Sequence, residues 1–159
     1  MHLRMVGVSS VIISGKTDSI LVDAQFTLAD AETVAQKIKA SGNNLKAIYV
    51  WQNDPDFYFG LEVLKKNFPE ITAYATKKVV EQIIVPAQKK LDVWGERLGK
   101  AITSNVVLPQ VLKENTIELD GEKFEMVGIE EFPGRTFLYI PSAKVVIGGI
   151  NVFGNGFNL

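Results

Sequence analysis

The sequence predicts an α/β fold with a mixed β-sheet. Three observations lead there: apolar strand-like runs alternate with amphipathic helical stretches over the first hundred residues, an Asp120-Gly121 hairpin signal opens a strand-rich second part, and no repeat, linker or low-complexity segment interrupts the chain. At 159 residues and 47% apolar, the chain has the size of one domain, roughly 100–200 residues, and enough apolar content for a core.

Each element follows from local pattern. Met5–Ser14 is β-rich, Gly15–Asp18 is a turn and Ser19–Asp23 a second strand, which together read as a hairpin. Thr27-x-x-Asp30 is similar to a capping box, and Leu28, Ala31, Val34, Ala35 and Ile38 follow at helical spacing until Gly42, so a helix is expected over 27–41. Leu45–Trp51 is a strand, 52–57 a polar loop, 58–68 a helix closed by Pro69, and Ile71–Ala75 a strand. Thr76 opens a helical stretch over 76–100, which Pro86 should kink or split. Val106–Lys113 reads as extended. Thr116–Leu119 and Lys123–Ile129 flank the hairpin turn. Thr136–Ile140 and Lys144–Ile147 are the last strands, before the tail GGINVFGNGFNL.

Seventeen basic against eighteen acidic residues give no net field to draw in nucleic acid or an anionic membrane. No window approaches the roughly 20 apolar residues of a membrane span, and Gly7 and Ser9-Ser10 interrupt the only apolar stretch that a leader peptide could use. A cytoplasmic location is expected. The absence of cysteine removes disulfides, thiolate nucleophiles and Cys-ligated metals. The single histidine, His2, sits at the terminus, where a site role is not expected.

The informative segment is the loop after Trp51, with Gln52, Asp54 and Asp56 at alternate positions between a buried strand and a helix. Gln52-Asn53-Asp54-Pro55-Asp56-Phe57, followed by Tyr58-Phe59-Gly60, resembles the metallo-β-lactamase fold superfamily, which places a His-x-His-x-Asp-His motif at such a junction. SGKTDSILVDAQF resembles the opening hairpin of that family, and FPGRTFLYIPSAKVVIGG its third metal-binding segment. The resemblance implies an αββα sandwich, zinc held between the sheet edges, and metal-dependent hydrolysis of an ester, amide or phosphoester. It covers the family's first half and the start of its second, so 1–159 is expected to be a single such domain whose C-terminal part is missing. Such a chain would be a fragment, a reduced version, or one that completes itself with a copy of itself.

The motif itself is altered. By the resemblance, Gln52 stands at the first His, Asp54 at the second and Phe57 at the third, and only Asp56 keeps the family's residue type. No His occurs in 130–135, where a later ligand is implied, and Gly148-Gly149 stand where a bridging Asp is implied. Catalytic zinc takes about three protein ligands, commonly imidazoles. Two carboxylates and an amide suit Mg²⁺ or Mn²⁺ better. Two readings of Gln52, Asp54 and Asp56 therefore stand side by side: a divalent-metal site, or aspartates that cap the following helix with no cofactor. No cofactor is expected on the second reading, and little or no zinc hydrolysis. The alternative is a metal-dependent hydrolase.

Other residues carry paired readings. Asp23 either supports the site, as the resemblance implies, or bonds backbone in a turn. Trp51 and Tyr58 line a pocket or pack in the core. Gly134-Arg135 either presents a cation to an anionic group or forms a surface turn. The pairs Lys65-Lys66, Lys77-Lys78 and Lys89-Lys90 read as solvated helix faces. The apolar strands 136–140 and 144–147 have few partners left in the chain, so a homo-oligomer through them is expected.

Overall fold

A computed structural model describes residues 8–128, 130 and 134–148. The order is β1 (Val11–Ser14), β2 (Asp18–Val22), α1 (Leu28–Ser41), β3 (Asn44–Tyr49), α2 (Leu61–Asn67), β4 (Thr72–Ala75), α3 (Lys77–Ile84), α4 (Ala87–Leu98), β5 (Gln110–Val111), β6 (Thr116–Leu119), β7 (Glu122–Val127), β8 (Phe137–Ile140) and β9 (Val145–Ile147). Short 3-10 turns lie at Pro55–Phe57 and Gly99–Ala101.

The strands form two sheets. The first runs β1-β2-β3-β4-β5 and the second β6-β7-β8-β9. In the first, β1 is antiparallel to β2, while β2, β3, β4 and β5 are parallel neighbours. Helical crossovers make that parallel order possible, and strands covered on both faces read as continuous apolar runs; Ile20, Leu21, Val22, Ile48, Tyr49 and Val50 are all buried. The second sheet is an antiparallel meander of short connections. Leu119, Phe124, Met126 and Leu138 from it join the core built on β2, β3 and the helices.

The caps are as the sequence suggests at two helices. The Thr27 hydroxyl accepts from the Asp30 N–H at 3.1 Å and donates to the Asp30 carboxylate at 2.6 Å, and Gly42 ends α1 at φ 77°. Thr76 caps α3 by accepting from the Val79 N–H. Pro86 divides the expected 76–100 helix into α3 and α4, because its ring lacks the N–H and clashes with the preceding turn.

Two expectations need correction. The helix expected over 58–68 begins only at Leu61. Pro55 at the first position starts a separate 3-10 turn instead, and Tyr58 and Phe59 occupy the bend between the two. The extended stretch 106–113 narrows to the two-residue β5, with Pro109 denying a ladder donor. The mixed sheet read from the strand pattern is the first sheet, and the antiparallel second sheet completes the two-layer arrangement that the resemblance implied. Residues 5–7 of the expected first strand, residue 129, His2 and the tail from Gly149 lie outside the described residues.

The layers are tied at two places. The Tyr49 hydroxyl on β3 meets the Thr136 hydroxyl at 2.5 Å, just ahead of β8. At the other end, the Asp120 carboxylate in the β6–β7 turn accepts from the Thr17 N–H at 3.2 Å and the Thr17 hydroxyl at 3.0 Å in the β1–β2 turn. No helix among the described residues is long and apolar enough to cross a membrane.

Candidate functional site

The candidate site grows from the C-terminal ends of β2 and β3, the place where parallel sheets of this kind present ligand-binding loops. Beyond β3 the chain stays extended through Val50 and Trp51, held by the Val50 N–H to Tyr74 O at 2.8 Å, and Gln52 forms an isolated bridge with Arg135. Beside it, the strap Asp23–Gln25 leaves β2. Asp23 (φ 65°) and Gln25 (φ 73°) both adopt left-handed backbone, which is sterically costly for residues other than glycine. The strap is held in place by the Asp23 N–H to Tyr49 O at 2.9 Å, the Ala24 N–H to Phe57 O at 2.8 Å and the Gly60 N–H to Gln25 O at 2.9 Å. The Gln25 side chain adds a bond to the Ser10 hydroxyl at 2.8 Å. Backbone strain is thus retained at this junction and fixed by surrounding bonds.

Asp23 is buried, and its carboxylate accepts from the Trp51 N–H at 3.3 Å. Burial pushes its carboxyl well above the ordinary value near 3.8, and the bond from the Trp51 backbone N–H only partly offsets this. Both readings of Asp23 share this contact: it bonds backbone, and the backbone it bonds belongs to the candidate loop.

The three predicted site residues separate into two environments. Gln52 is 1% exposed, and neither end of its amide has a partner. Asp54 and Asp56 lie on the partly exposed loop. Asp54 is 3.8 Å from the Lys90 ammonium, which also donates to Asn53 O at 2.6 Å. Burial raises the Asp56 carboxyl above its ordinary value, the neighbouring Asp54 charge raises it further, and Lys90 counteracts both. The structure therefore brings Asp54, Asp56 and Lys90 within electrostatic reach of one another, and keeps Gln52 in the ladder to Arg135.

Neither aspartate caps a helix, which corrects the cap reading. Asp54 precedes the 3-10 turn without a side-chain bond to it, and α2 starts after Gly60 with no side-chain cap. Lys90 also departs from the solvated-face reading: its side chain is 23% exposed and reaches across from α4 to the loop. Nothing in the local sequence of α4 marks it, because its partner is 37 residues away. Arg135 is exposed and forms the isolated bridge with Gln52.

Trp51 and Tyr58 are core residues that keep polar atoms without partners. Trp51 packs edge-on against Phe57 at 5.1 Å between ring centroids, and its indole N–H is unpaired. The Tyr58 hydroxyl is likewise buried and unpaired. Burial, and then the Asp54 charge, hold its proton on more tightly than in water. A cleft of about 640 Å³ lined by Lys39, Asn43, Lys46 and Glu70 lies at the opposite, N-terminal end of β3 and takes no part in this junction.

The donor set does not fit zinc. The loop offers no imidazole, its first ligand position holds a neutral amide, and an ammonium already balances Asp54. Among the described residues no three His, Cys, Asp or Glu side chains are grouped to hold a metal ion.

Comparison with solved structures places this geometry in a known fold. The chain is similar to the BLEG-1 B3 metallo-β-lactamase, with a TM-score of 0.69 at 17% identity over 92% of this chain and 68% of that one. It is also similar to a metallo-β-lactamase from Pontibacter korlensis, with a TM-score of 0.64, 17% identity, and coverage of 89% and 59%. The DIM-1 metallo-β-lactamase gives 0.62, 21% identity, and coverage of 93% and 62%. The chain thus has the metallo-β-lactamase fold and spans between about half and two thirds of the length of such structures. No protein-family profile and no curated relative matches the sequence.

Proposed function

We propose that this chain uses the metallo-β-lactamase fold as a binding or assembly module, with little or no zinc hydrolysis of its own. One observation carries the reading. Where the fold's metal loop needs neutral imidazoles around a cation, this loop pairs its carboxylate with Lys90 and buries the neutral amide of Gln52. A zinc ion placed there would meet an ammonium beside Asp54, and too few donors to lower the pKa of a bound water. The strained strap and the unpaired polar atoms of Trp51, Gln52 and Tyr58 support a junction kept for binding.

Association through the C-terminal strands belongs to the same proposal. Among the described residues β9 forms one edge of its sheet, and Val145 and Val146 are 42% and 45% exposed. Edge strands with exposed valines favour pairing with a second chain. A location in the cytoplasm and the absence of nucleic-acid or membrane partners complete the reading. Hydrolysis assays with β-lactam, ester and phosphoester substrates, with and without added Zn²⁺ or Mn²⁺, test it; background rates are expected. Metal-dependent turnover that Asp56→Ala abolishes would install the hydrolase reading instead. Light scattering at tens of micromolar tests the association, where a monodisperse monomer would remove that part.

A further inference from the structure

We propose that the cleft between the start of β1, the strap Asp23–Gln25 and α1 binds a small phosphate group, with Lys37 supplying the charge and Ser10 a hydrogen-bond donor. The cleft uses none of residues 52–57, so the inference goes beyond the binding-module reading and stands whether or not that loop is catalytic.

The cleft holds about 320 Å³. Ser9, Ser10, Gln25 and Lys37 line it together with the apolar side chains of Ile12 and Val34. That volume lies at the small end of ligand sites, roughly 300–1,000 Å³, and suits a compact ligand. The lining carries one cation and no carboxylate. Lys37 makes no ion pair with a described residue, and its neighbours one turn away on α1, Thr33, Val34, Ala40 and Ser41, are uncharged. Two larger clefts differ on this point. In the one at the N-terminal end of β3, Lys46 pairs with Asp18, Lys39 donates to Asn67, and Glu70 adds a negative charge. In the other, between α1, α2 and α4, the Glu62 carboxylate is part of the wall. The Lys37 cleft is therefore the one whose charge is left for an anion.

The hydrogen bonds in the cleft point the same way. Gln25 is buried, and its Nε2 donates to the Ser10 hydroxyl at 2.8 Å. A hydroxyl carries one hydrogen and two lone pairs, so Ser10, accepting from Gln25, keeps its own hydrogen for another acceptor. No described residue takes it. Gln25 holds this position on left-handed backbone at φ 73°, strain of the kind retained where it fixes a working side chain. Lysine adds three rotatable donors on a compact charge and binds phosphate as a point charge. An ammonium and hydroxyls converging on one small cleft match the three acceptor oxygens and near-double charge of a phosphate group. A carboxylate, with two oxygens and one charge, fills the same donors less completely.

The test titrates the full chain with inorganic phosphate, methyl phosphate and acetate by calorimetry at constant ionic strength, because diffuse attraction to exposed charges is screened by salt. Saturable one-to-one binding of a phosphate near millimolar is expected, with acetate weaker by about tenfold. Methyl phosphate binding at least as tightly as the free ion would assign the end of a phosphomonoester, and tighter inorganic phosphate would assign the free ion; both support the site. Lys37→Met, which keeps chain length and removes charge on an exposed helix position, should weaken binding at least about tenfold. Lys37→Arg should restore most of it, and Ser10→Ala should cost about tenfold with the unliganded melting temperature unchanged. Absence of saturation, acetate binding as tightly as phosphate, or affinity unaltered in Lys37→Met would each overturn the proposal. So would affinity lost in Lys46→Met but kept in Lys37→Met, which would move the anion to the cleft beside β3. If Ser10→Ala fails to fold, the Lys37→Met and Lys37→Arg pair decides alone.

Discussion

Replacing Gly60 by alanine should loosen the whole candidate junction. Gly60 has φ −70° and ψ −6°, which any residue adopts, so a methyl group costs nothing through the backbone angles. The cost is steric: the added Cβ would lie 1.9 Å from Ala24 O and 2.7 Å from Ala31 Cβ. Contact distances for such atoms are about 3.5 Å, so strap and helix must part by roughly 1.5 Å. That separation breaks the Gly60 N–H bond to Gln25 O and strains the Ala24 N–H bond to Phe57 O. Each is worth about 1 kcal/mol net, and overpacking adds about 1–3 kcal/mol. The expected loss is about 3–5 kcal/mol, a large share of the roughly 5–15 kcal/mol that holds a typical domain. Urea unfolding followed by tryptophan fluorescence measures it, since Trp51 sits in the affected junction. A loss below about 1 kcal/mol would refute the claim that the strap is clamped onto Gly60.

Gly95→Ala should act in the opposite direction: its Cβ meets nothing within 4 Å and it lies inside α4, so a gain of about 0.5–1 kcal/mol is expected, and a loss in the same urea assay would contradict it. Thr27→Ala should cost about 0.5–2 kcal/mol through the lost cap of α1, read from the thermal midpoint, with no change counting against the cap. Asp23 governs a pH dependence. Its folded carboxyl holds the proton more tightly than the unfolded chain does, so stability declines as pH rises from about 3.8 through the raised folded value. Asp23→Asn keeps an acceptor for the Trp51 N–H and tolerates left-handed backbone. Its advantage over the unaltered chain should widen between acid and neutral pH, and parallel urea midpoints would disprove the assignment.

Local chemistry made much of the fold legible. Thr27, Gly42, Pro86 and Asp120-Gly121 each act on their own neighbours, and each did what its residue type requires. The start of α2 was less legible because Pro55 and Gly60 divide what helical periodicity joins. The partition into two sheets depends on which strands pair, which no local pattern carries; only the resemblance suggested it. In the site, the chain order placed Gln52, Asp54 and Asp56 at one junction. It did not show that the amide is buried while the carboxylates stay near solvent, since Arg135 and Lys90 arrive from distant segments. The strain at Asp23 and Gln25 had no signal either, because neither is a glycine and the bonds that impose it come from Tyr49, Phe57 and Gly60.

Metal content tests the central claim most directly. Protein purified without added metal or chelator, analysed by elemental mass spectrometry, should carry no stoichiometric zinc, manganese or iron, and EDTA should leave its melting temperature unchanged. This follows from a loop that offers two carboxylates, one balanced by Lys90, and a buried neutral amide in place of imidazoles. One or more tightly bound transition-metal ions per chain, lost together with hydrolytic turnover in Asp56→Ala, would contradict it.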